Sequence, residues 1–343
     1  MVYLFELLKH ANIRYRDAVF ILASCELQAM LRSLSVFTEI SVQNLGASCF
    51  LSFECRELSE QELTCLSGHS SLALMAEEKG GWLRPLPVTP RQYLQEDLPE
   101  VLKYKGKTAV PFTRMMINTA LALSSIRRQE ADPPLFFDPL CGKATGCFCA
   151  LTAGMNAVGI DIDRNDLKEA SGYFERYLRF HKLKHEIINR SETFGKGSVP
   201  VCEALFSDTK EHFRSGQAHS LTLACADTSL SPALFRRKKA DLIAADLPYG
   251  IQHAPQSGAK PEPLSRFLLR VLPVWKSVLK PGGAIALSFN TLTLPSEQVR
   301  QALSQSGFIL HADEYSSSLC HEVEHAVIRD VVFALNPEEE SNV

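Results

Sequence analysis

The chemistry-bearing run of this 343-residue chain is Asp246-Leu247-Pro248-Tyr249-Gly250, which follows directly on the apolar stretch opened by Asp241-Leu242-Ile243. Such a turn suits a flat heterocycle bearing an exocyclic amino group. The Asp246 carboxylate accepts a hydrogen bond from the amine, the carbonyl before or at the fixed-φ Pro248 accepts a second, and the Tyr249 ring stacks on the heterocycle. With its N–H bonds held, the nitrogen is left with its lone pair facing an electrophile, the arrangement that alkylation of a poorly nucleophilic ring amine demands. The same residues also make an ordinary strand closed by an acid and a proline turn, so the run acquires meaning only from what accompanies it.

A second run lies about a hundred residues upstream. Leu135-Phe136-Phe137-Asp138-Pro139-Leu140-Cys141-Gly142-Lys143-Ala144-Thr145-Gly146 reads as a strand, a tight turn and the start of a helix rich in small residues, extending through Ala150 to Ala153. After Gly154 a second short strand, Ala157-Val158-Gly159-Ile160-Asp161, ends in an acid. A strand, a glycine-bearing loop opening a helix and an acid at the tip of the next strand form the nucleotide half-site of doubly wound sheets. Asp161 is the ribose candidate because it closes the apolar run, whereas Asp163 sits where the following helix is capped. G-x-G-x-x-G is absent, and Asp138-Pro139 does not suit a pyrophosphate. An anionic loop suits a ligand with a positive sulfonium and an amino group, S-adenosylmethionine (SAM), better than one with two phosphates.

Asp-Pro-x-Cys-Gly at 138–142, the acid-tipped second strand and Asp-Leu-Pro-Tyr-Gly at 246–250 together resemble the class I SAM-dependent methyltransferases that modify the 2-amino group of guanosine in tRNA. More narrowly, they resemble bacterial relatives of the THUMP-linked tRNA guanosine methyltransferases, over roughly Lys103 to Leu335. The resemblance implies an α/β, Rossmann-like sheet of seven strands, SAM as cofactor and an RNA substrate, tRNA foremost, with a partner subunit left open. It implies catalytic roles for Asp246, Pro248 and Tyr249. Cofactor contacts would come from Thr113, Asp138, Pro139, Cys141, Gly142, Asp161, Ile162, Asp227 and Asp246. Lys105-Gly106-Lys107-Thr108 and Phe112-Thr113 look like the family's segment lying against the methionine end of SAM. The chain departs from the family at Ala144, where glycine is usual; if that position needs φ > 0, alanine costs about 1 kcal/mol. Two rivals remain. A DNA adenine or cytosine amino-methyltransferase uses a similar acidic-Pro-Pro-aromatic turn, but its companion basic or target-recognition region is not evident here. A degenerate, non-catalytic RNA- or partner-binding module has only Ala144 to suggest it.

The elements that must position these residues divide in two. Residues 1–99 read as a small α+β, ferredoxin-like unit: Val2 to Phe5 opens it, Ala23 to Leu31 makes an amphipathic helix, and Leu45 to Glu54 alternates as a strand. Pro85, Pro87, Pro90 and Pro99 mark a linker. The domain at 100–336 then runs through a helix from Met115 to Arg127 and strands at Leu135–Asp138 and Ala157–Asp161. The stretch His181 to His219, with Gly195-Lys196-Gly197 and little periodicity, reads as an insertion, either a substrate-facing loop or a surface excursion. Leu221 to Asp227 is a third strand; by analogy Asp227 meets the adenine amino group, and an N-cap or turn role is the equal alternative. Asp246 ends the fourth strand, Pro281-Gly282-Gly283 makes a turn, and Ala284 to Phe289 is the fifth. Pro295 to Ser306 is a helix closed by Gly307, and Phe308 to Leu310 and Val327 to Leu335 supply the last strands. The acidic tail at 337–343 reads as disordered.

Composition fits a cytoplasmic enzyme. The hydrophobic content of 45% gives ample core, and a formal charge of −3 argues mildly against a large autonomous RNA-binding surface. The basic runs Arg236-Arg237-Lys238-Lys239 and Arg176 to Lys184, with His181 and His185, read as solvated faces. No apolar run reaches membrane-spanning length. The ten cysteines form no C-x-x-C knuckle, and Cys141, Cys147 and Cys149 read as buried thiols rather than zinc ligands. His321 and His325 sit four apart, but a water-facing strand is the stronger reading there, so no metal site is expected.

Overall fold

The computed structural model describes residues 1–9, 13–46, 48–125, 133–194, 197–236, 238–249, 256–257, 260–316, 319–324 and 326–338. Arg127, Gly195, Lys196, Arg237, Gly250, His325 and residues 339–343 of the acidic tail, invoked above, lie outside them.

The N-terminal unit comprises β1 (Val2–Leu7), α1 (Ile13–Ser33), β2 (Ile40–Leu45), β3 (Ser48–Glu54), α2 (Glu60–Leu66), β4 (Leu72–Lys79) and β5 (Trp82–Pro85). Its antiparallel sheet runs in the order β2-β3-β1-β4-β5. Tyr3, Phe5 and Leu7 alternate onto the helix-facing side of β1 and bury with Leu51, Phe53 and Met75 and with Leu22 of α1. The alternation expected as one strand from Leu45 to Glu54 is instead the second arm of a hairpin. Gly46, at φ +62°, turns the chain between β2 and β3.

The larger unit continues with α3 (Leu98–Val101), α4 (Val110–Leu123), β6 (Leu135–Asp138), α5 (Thr145–Thr152), β7 (Asn156–Asp161), α6 (Arg164–Phe180), β8 (Lys184–Phe194), β9 (Gly197–Ser207), α7 (Lys210–Arg214), β10 (His219–Cys225) and α8 (Ser231–Phe235). It closes with β11 (Ala240–Asp246), the two-residue pair β12 (Gln256–Ser257) and β13 (Lys260–Pro261), α9 (Leu264–Val278), β14 (Leu279–Asn290), α10 (Ser296–Gln305), β15 (Ile309–Leu310), β16 (His321–Glu324) and β17 (Val327–Leu335). The strand order is β15-β17-β14-β11-β6-β7-β10, extended at the far edge by β9 and β8. β7, β6, β11 and β14 run parallel to one another and β17 antiparallel to β14. Numbered along the chain without the insertion, this is 6-7-5-4-1-2-3 with a reversed seventh strand, the class I methyltransferase sheet. Parallel strands covered on both faces read as unbroken apolar runs, and Ala240 to Ala245 of β11 are all buried. Helices cover those faces with apolar stripes, as with Phe267, Leu268, Val271, Leu272 and Trp275 of α9.

Several elements differ from the sequence reading for identifiable reasons. The 181–219 stretch is no loop: β8 and β9 pair throughout from Lys184↔Ser207 to Phe194↔Gly197. Its mixed polar pattern is that of an edge hairpin. The proline-marked linker is packed down. Leu94 and Leu98 are buried, the Tyr93 N–H donates to Thr152 O (2.9 Å) and the Gln95 N–H to the Tyr177 hydroxyl (3.0 Å). Pro281-Gly282-Gly283 lies inside β14, where the pairing with β11 shifts register between Ala240 and Leu242, rather than forming a separate turn. The helix expected from Met115 starts at Val110, with Pro111 in its first turn. β10 stops at Cys225, short of Asp227. His321 is on a strand, as expected, but its ring is buried against Phe112 instead of facing water.

The two units share one apolar core that runs from Tyr3 and Phe53 through Met116 and Phe148 to Phe174. Polar contacts reinforce it. The buried Glu26 carboxylate of α1 accepts from Asn118 Nδ2 of α4 and from the Ser70 N–H, both at 2.8 Å. Arg32 pairs with Asp313 at 2.6 Å, and the Ile40 N–H donates to the Tyr315 hydroxyl at 3.1 Å. The N-terminal unit is therefore fixed against the larger sheet.

Candidate active site

β6 and β11 are neighbours whose following chains leave in opposite directions along the sheet, which opens a crevice at their carboxyl ends. Both strands end in an acid. Asp138 is buried, and burial together with Asp161 and Asp246 pushes its carboxyl up to about 8, against the Leu140 N–H (3.2 Å) that stabilises the charged form. Gly146 allows this packing: a Cβ there would come 2.6 Å from Asp138 Oδ2. Pro139 is buried beside it, and the Cys141 N–H donates to Ile160 O (3.0 Å), tying the loop to β7. Cys141 and Cys147 have thiols pushed far up by burial, and Cys149 is raised to about 12, so all three are inert packing groups.

Asp161 organises the same loop from the next strand. Its Oδ2 accepts the Gly142 N–H (2.7 Å) and its Oδ1 the Asp163 N–H (2.9 Å). Asp163 caps α6 through the N–H groups of Asn165 and Asp166, leaving Asp161 as the acid that faces the loop. Ile162 beside it is exposed. Ala144 sits at φ +64°, ψ +26° and is fully buried, so the left-handed conformation that favours glycine is imposed here on an alanine.

Asp227 is found as an N-cap: its Oδ1 takes the Ser229 N–H at 2.8 Å and lies 3.4 Å from Arg270. Burial pushes its carboxyl up, but hydrogen bonds from Ser229 and the charge of Arg270 hold it below the usual range. Thr113 is on the first turns of α4, half-buried, with its hydroxyl returned to Ala109 O (3.4 Å). Thr108, in the segment before α4, donates its hydroxyl to Asp246 Oδ2. Tyr104 of that segment bonds Thr145 Oγ1 (2.8 Å), with Lys143 5.3 Å above its ring. The 104–108 segment thus spans the mouth between the two acidic strand ends.

Asp246 is the most heavily engaged group. Its Oδ1 accepts from Ser288 Oγ (2.8 Å) and from the Tyr249 hydroxyl, its Oδ2 accepts from Thr108, and Arg329 Nη2 stands 3.8 Å away. The Leu247 N–H is held by Ser288 O (2.8 Å), which fixes the start of the turn. Tyr249 and Pro248 are half-buried. The Tyr249 phenol, pushed up by burial and by Asp246, turns back onto the strand and accepts Arg329 Nε at 2.9 Å. Sequence reasoning placed Asp246 and Tyr249 side by side but missed Ser288, Arg329 and Tyr104. The available signal was Arg329-Asp330 interrupting the otherwise apolar Val327–Leu335. Among the described residues, no three His, Cys, Asp or Glu side chains are placed to share a metal ion, and no helix is long and apolar enough to cross a membrane.

No protein-family model and no curated protein matches the chain. Among solved structures it is similar to TrmN from Thermus thermophilus, at 17% identity and a TM-score of 0.42, over 87% of this chain and 59% of that one. It is similar to a magnesium protoporphyrin IX methyltransferase from Synechocystis PCC 6803 with bound SAM, at 12% identity and a TM-score of 0.37, over 67% and 86%. A third is a ribosomal protein L11 methylase from Lactobacillus delbrueckii subsp. bulgaricus, at 15% identity and a TM-score of 0.35, over 65% and 78%. The chain spans less than two thirds of the length of the first.

Proposed function

We propose that this protein is a SAM-dependent methyltransferase acting on an exocyclic amino group of a nucleobase, the 2-amino group of guanosine in tRNA being the substrate its motifs favour. The observation that carries this reading is the crevice with Asp138, Asp161 and Asp246 at the carboxyl ends of three strands, two of them flanking the switch point. A cluster of acids at the strand ends, of which Asp138 is held protonated by burial and, secondarily, by its acidic neighbours, is matched by a cationic ligand and repels a pyrophosphate. It therefore fits SAM, with Asp138 and Thr113 toward the amino acid end, the Pro139 to Gly142 loop along the cofactor, Asp161 at the ribose hydroxyls, and Ile162 and Asp227 toward the adenine. When bound, SAM supplies an electrophilic methyl group.

The chain's own residues do the rest. Asp246 accepts a hydrogen bond from the substrate amine and, with the Pro248 carbonyl region, fixes its direction, while Tyr249 stacks on the base. No strong general base is required, because the alkylated nitrogen loses its proton readily. Alignment supplies most of the rate. A paired target base is first flipped out of its stack. The test is incubation of the chain with methyl-labelled SAM and either unmodified tRNA or DNA, followed by mass spectrometry of the nucleosides. N2-methylguanosine from RNA is expected. Label found only in DNA, or only on adenine, would transfer the reading to a DNA amino-methyltransferase. No label with any nucleic acid would sink it.

A further inference from the structure

Arg329 is the charged residue of the site that the strand-end acids do not explain. It lies on β17, the reversed strand, where it pairs across to Asn290 at the carboxyl end of β14, and only 5% of it is exposed. Its Nε donates to the Tyr249 hydroxyl at 2.9 Å, and its Nη2 is 3.8 Å from Asp246 Oδ2. The guanidinium carbon lies 4.6 Å from the centre of the Phe112 ring and 5.5 Å from that of Tyr249. One planar cation thus touches three functional pieces: the segment that opens α4, the acidic strand end and the aromatic of the turn.

Burying a guanidinium is costly unless charge, hydrogen bonds and stacking all meet it, and here all three do. The geometry has a consequence for the turn. The Tyr249 hydroxyl accepts from Arg329 and donates its proton to Asp246, so the ring is held at its polar end and by the cation beside it. Asp246 in turn is held by Ser288, Thr108 and Tyr249. Without Arg329, the phenol loses its donor, Asp246 loses its countercharge, and the ring becomes free to change rotamer.

We propose that Arg329 is a positioning residue for base methylation, which locks the Tyr249 ring and the Asp246 carboxylate in the orientation the substrate amine requires. This rests on the nucleobase-amine reading above. Lysine is no substitute, since a single ammonium cannot donate to the phenol, face the carboxylate and stack between two rings at once.

The test pairs kinetics with a spectroscopic readout independent of activity. The eight tyrosines are replaced by 3-fluorotyrosine, and the Tyr249 resonance is identified by its disappearance in Tyr249→Phe. Arg329→Met and Arg329→Lys are expected to shift or split that 19F resonance. They should lower kcat about a hundredfold, the loss typical of a misaligned reacting group, while SAM affinity stays within about twofold, since the Tyr249, Asp246 and Phe112 groups it holds lie outside the Pro139 to Gly142 loop. Combined with Tyr249→Phe, each should cost less than the product of the two single effects, because the arginine acts in part through the phenol. A Tyr249 resonance unchanged in both variants, each with a parental melting temperature, would overturn the positioning role. So would a shifted resonance with parental kcat. Should the parent methylate no nucleic acid, the substrate reading fails alone, and the 19F result still decides whether Arg329 sets the ring.

Discussion

Asp138 makes the SAM reading testable through protons rather than product. Its carboxyl is raised to about 8 by burial and by its acidic neighbours, so at pH 7 roughly nine tenths of the free protein carries it neutral. The amino group of free SAM is an ordinary α-amine, near 8, and is roughly nine tenths protonated at the same pH. On the SAM reading, the two form a carboxylate–ammonium pair in the complex. Binding at pH 7 should therefore expel about 0.8 proton net, about 0.9 leaving Asp138 and about 0.1 taken up by the amine. At pH 9 the carboxylate is mostly ionised but the amine is mostly neutral, so binding takes up about 0.8 proton net. Exchange should pass through zero near pH 8, where affinity peaks, and affinity should fall about threefold over the first pH unit on either side and approach about tenfold per unit beyond. Calorimetric titrations in two buffers of different ionisation enthalpy give the proton count directly. Asp138→Asn should abolish the release at pH 7 and leave the uptake at pH 9. The same shift acts on the free protein. The folded chain binds the extra proton between the ordinary carboxylate value and about 8, so stability is greatest below that window and declines as pH rises through it. Asp138→Asn should flatten that decline. No proton exchange at pH 7, or a release that survives in Asp138→Asn, would refute both the burial argument and the placement of the SAM amine.

Other outcomes follow from the same geometry. Asp161→Ala should weaken SAM binding by at least about 1.5–3 kcal/mol, the loss of a charged hydrogen bond, because it also releases the Gly142 and Asp163 N–H groups that order the loop; calorimetry measures it. Ala144→Gly relieves a left-handed alanine worth about 1 kcal/mol but removes a buried methyl worth about 0.8 kcal/mol, so the urea midpoint should barely move and SAM affinity should hold or improve. A clear loss of affinity would show that the methyl is needed. Asp246→Asn keeps the shape but puts a donor where an amine must be accepted. Methyl transfer should fall by about two to three orders of magnitude with SAM affinity retained, and equal activity would end the mechanism. Finally, RNA affinity should lose salt sensitivity when Arg236, Lys238 and Lys239 are neutralised together, and should keep it when Arg56, Lys79 and Arg84 are.

The parts of the molecule legible in the sequence are those where one residue type has few alternatives. Leu135–Asp138, the strand ending at Asp161 and the strand ending at Asp246 were readable because a parallel strand buried on both faces must be apolar until it reaches the acid at its tip. Asp163 was separable from Asp161 because capping needs a short acceptor just before the helix. The Ala144 conformation was anticipated only as a condition, since φ > 0 is a property of the backbone that alanine does not announce. What stayed hidden depends on partners distant in the chain. Arg329 lies 80 residues from Tyr249 and Ser288 lies 42 from Asp246. No local spacing brings them together; only the reversed strand β17 beside β14 does. The β8–β9 hairpin was hidden for another reason. An edge hairpin has one unpaired border and few fully buried positions, so its pattern resembles a polar loop.

The salt prediction rests on how charge is divided between two units that cannot separate. Residues 1–99 hold 12 acidic and 8 basic side chains, whereas residues 100–337 hold 24 acidic and 28 basic. A polyanion is therefore repelled by the first unit and attracted by the second, and the formal charge of the whole chain conceals the difference. Several N-terminal cations are also committed, Arg56 to Glu62 (2.5 Å), Arg84 to Glu77 (2.7 Å) and Arg32 to Asp313 (2.6 Å), so little counterion release is left to that side. Lys238 and Lys239 are exposed, and Arg236 is 73% exposed with only a 3.4 Å contact to Glu192. The shared core and the buried Glu26–Asn118 contact fix the acidic unit at one place beside the crevice. On the nucleic-acid reading, it would act chiefly by exclusion, limiting the directions from which a phosphate backbone approaches Asp246.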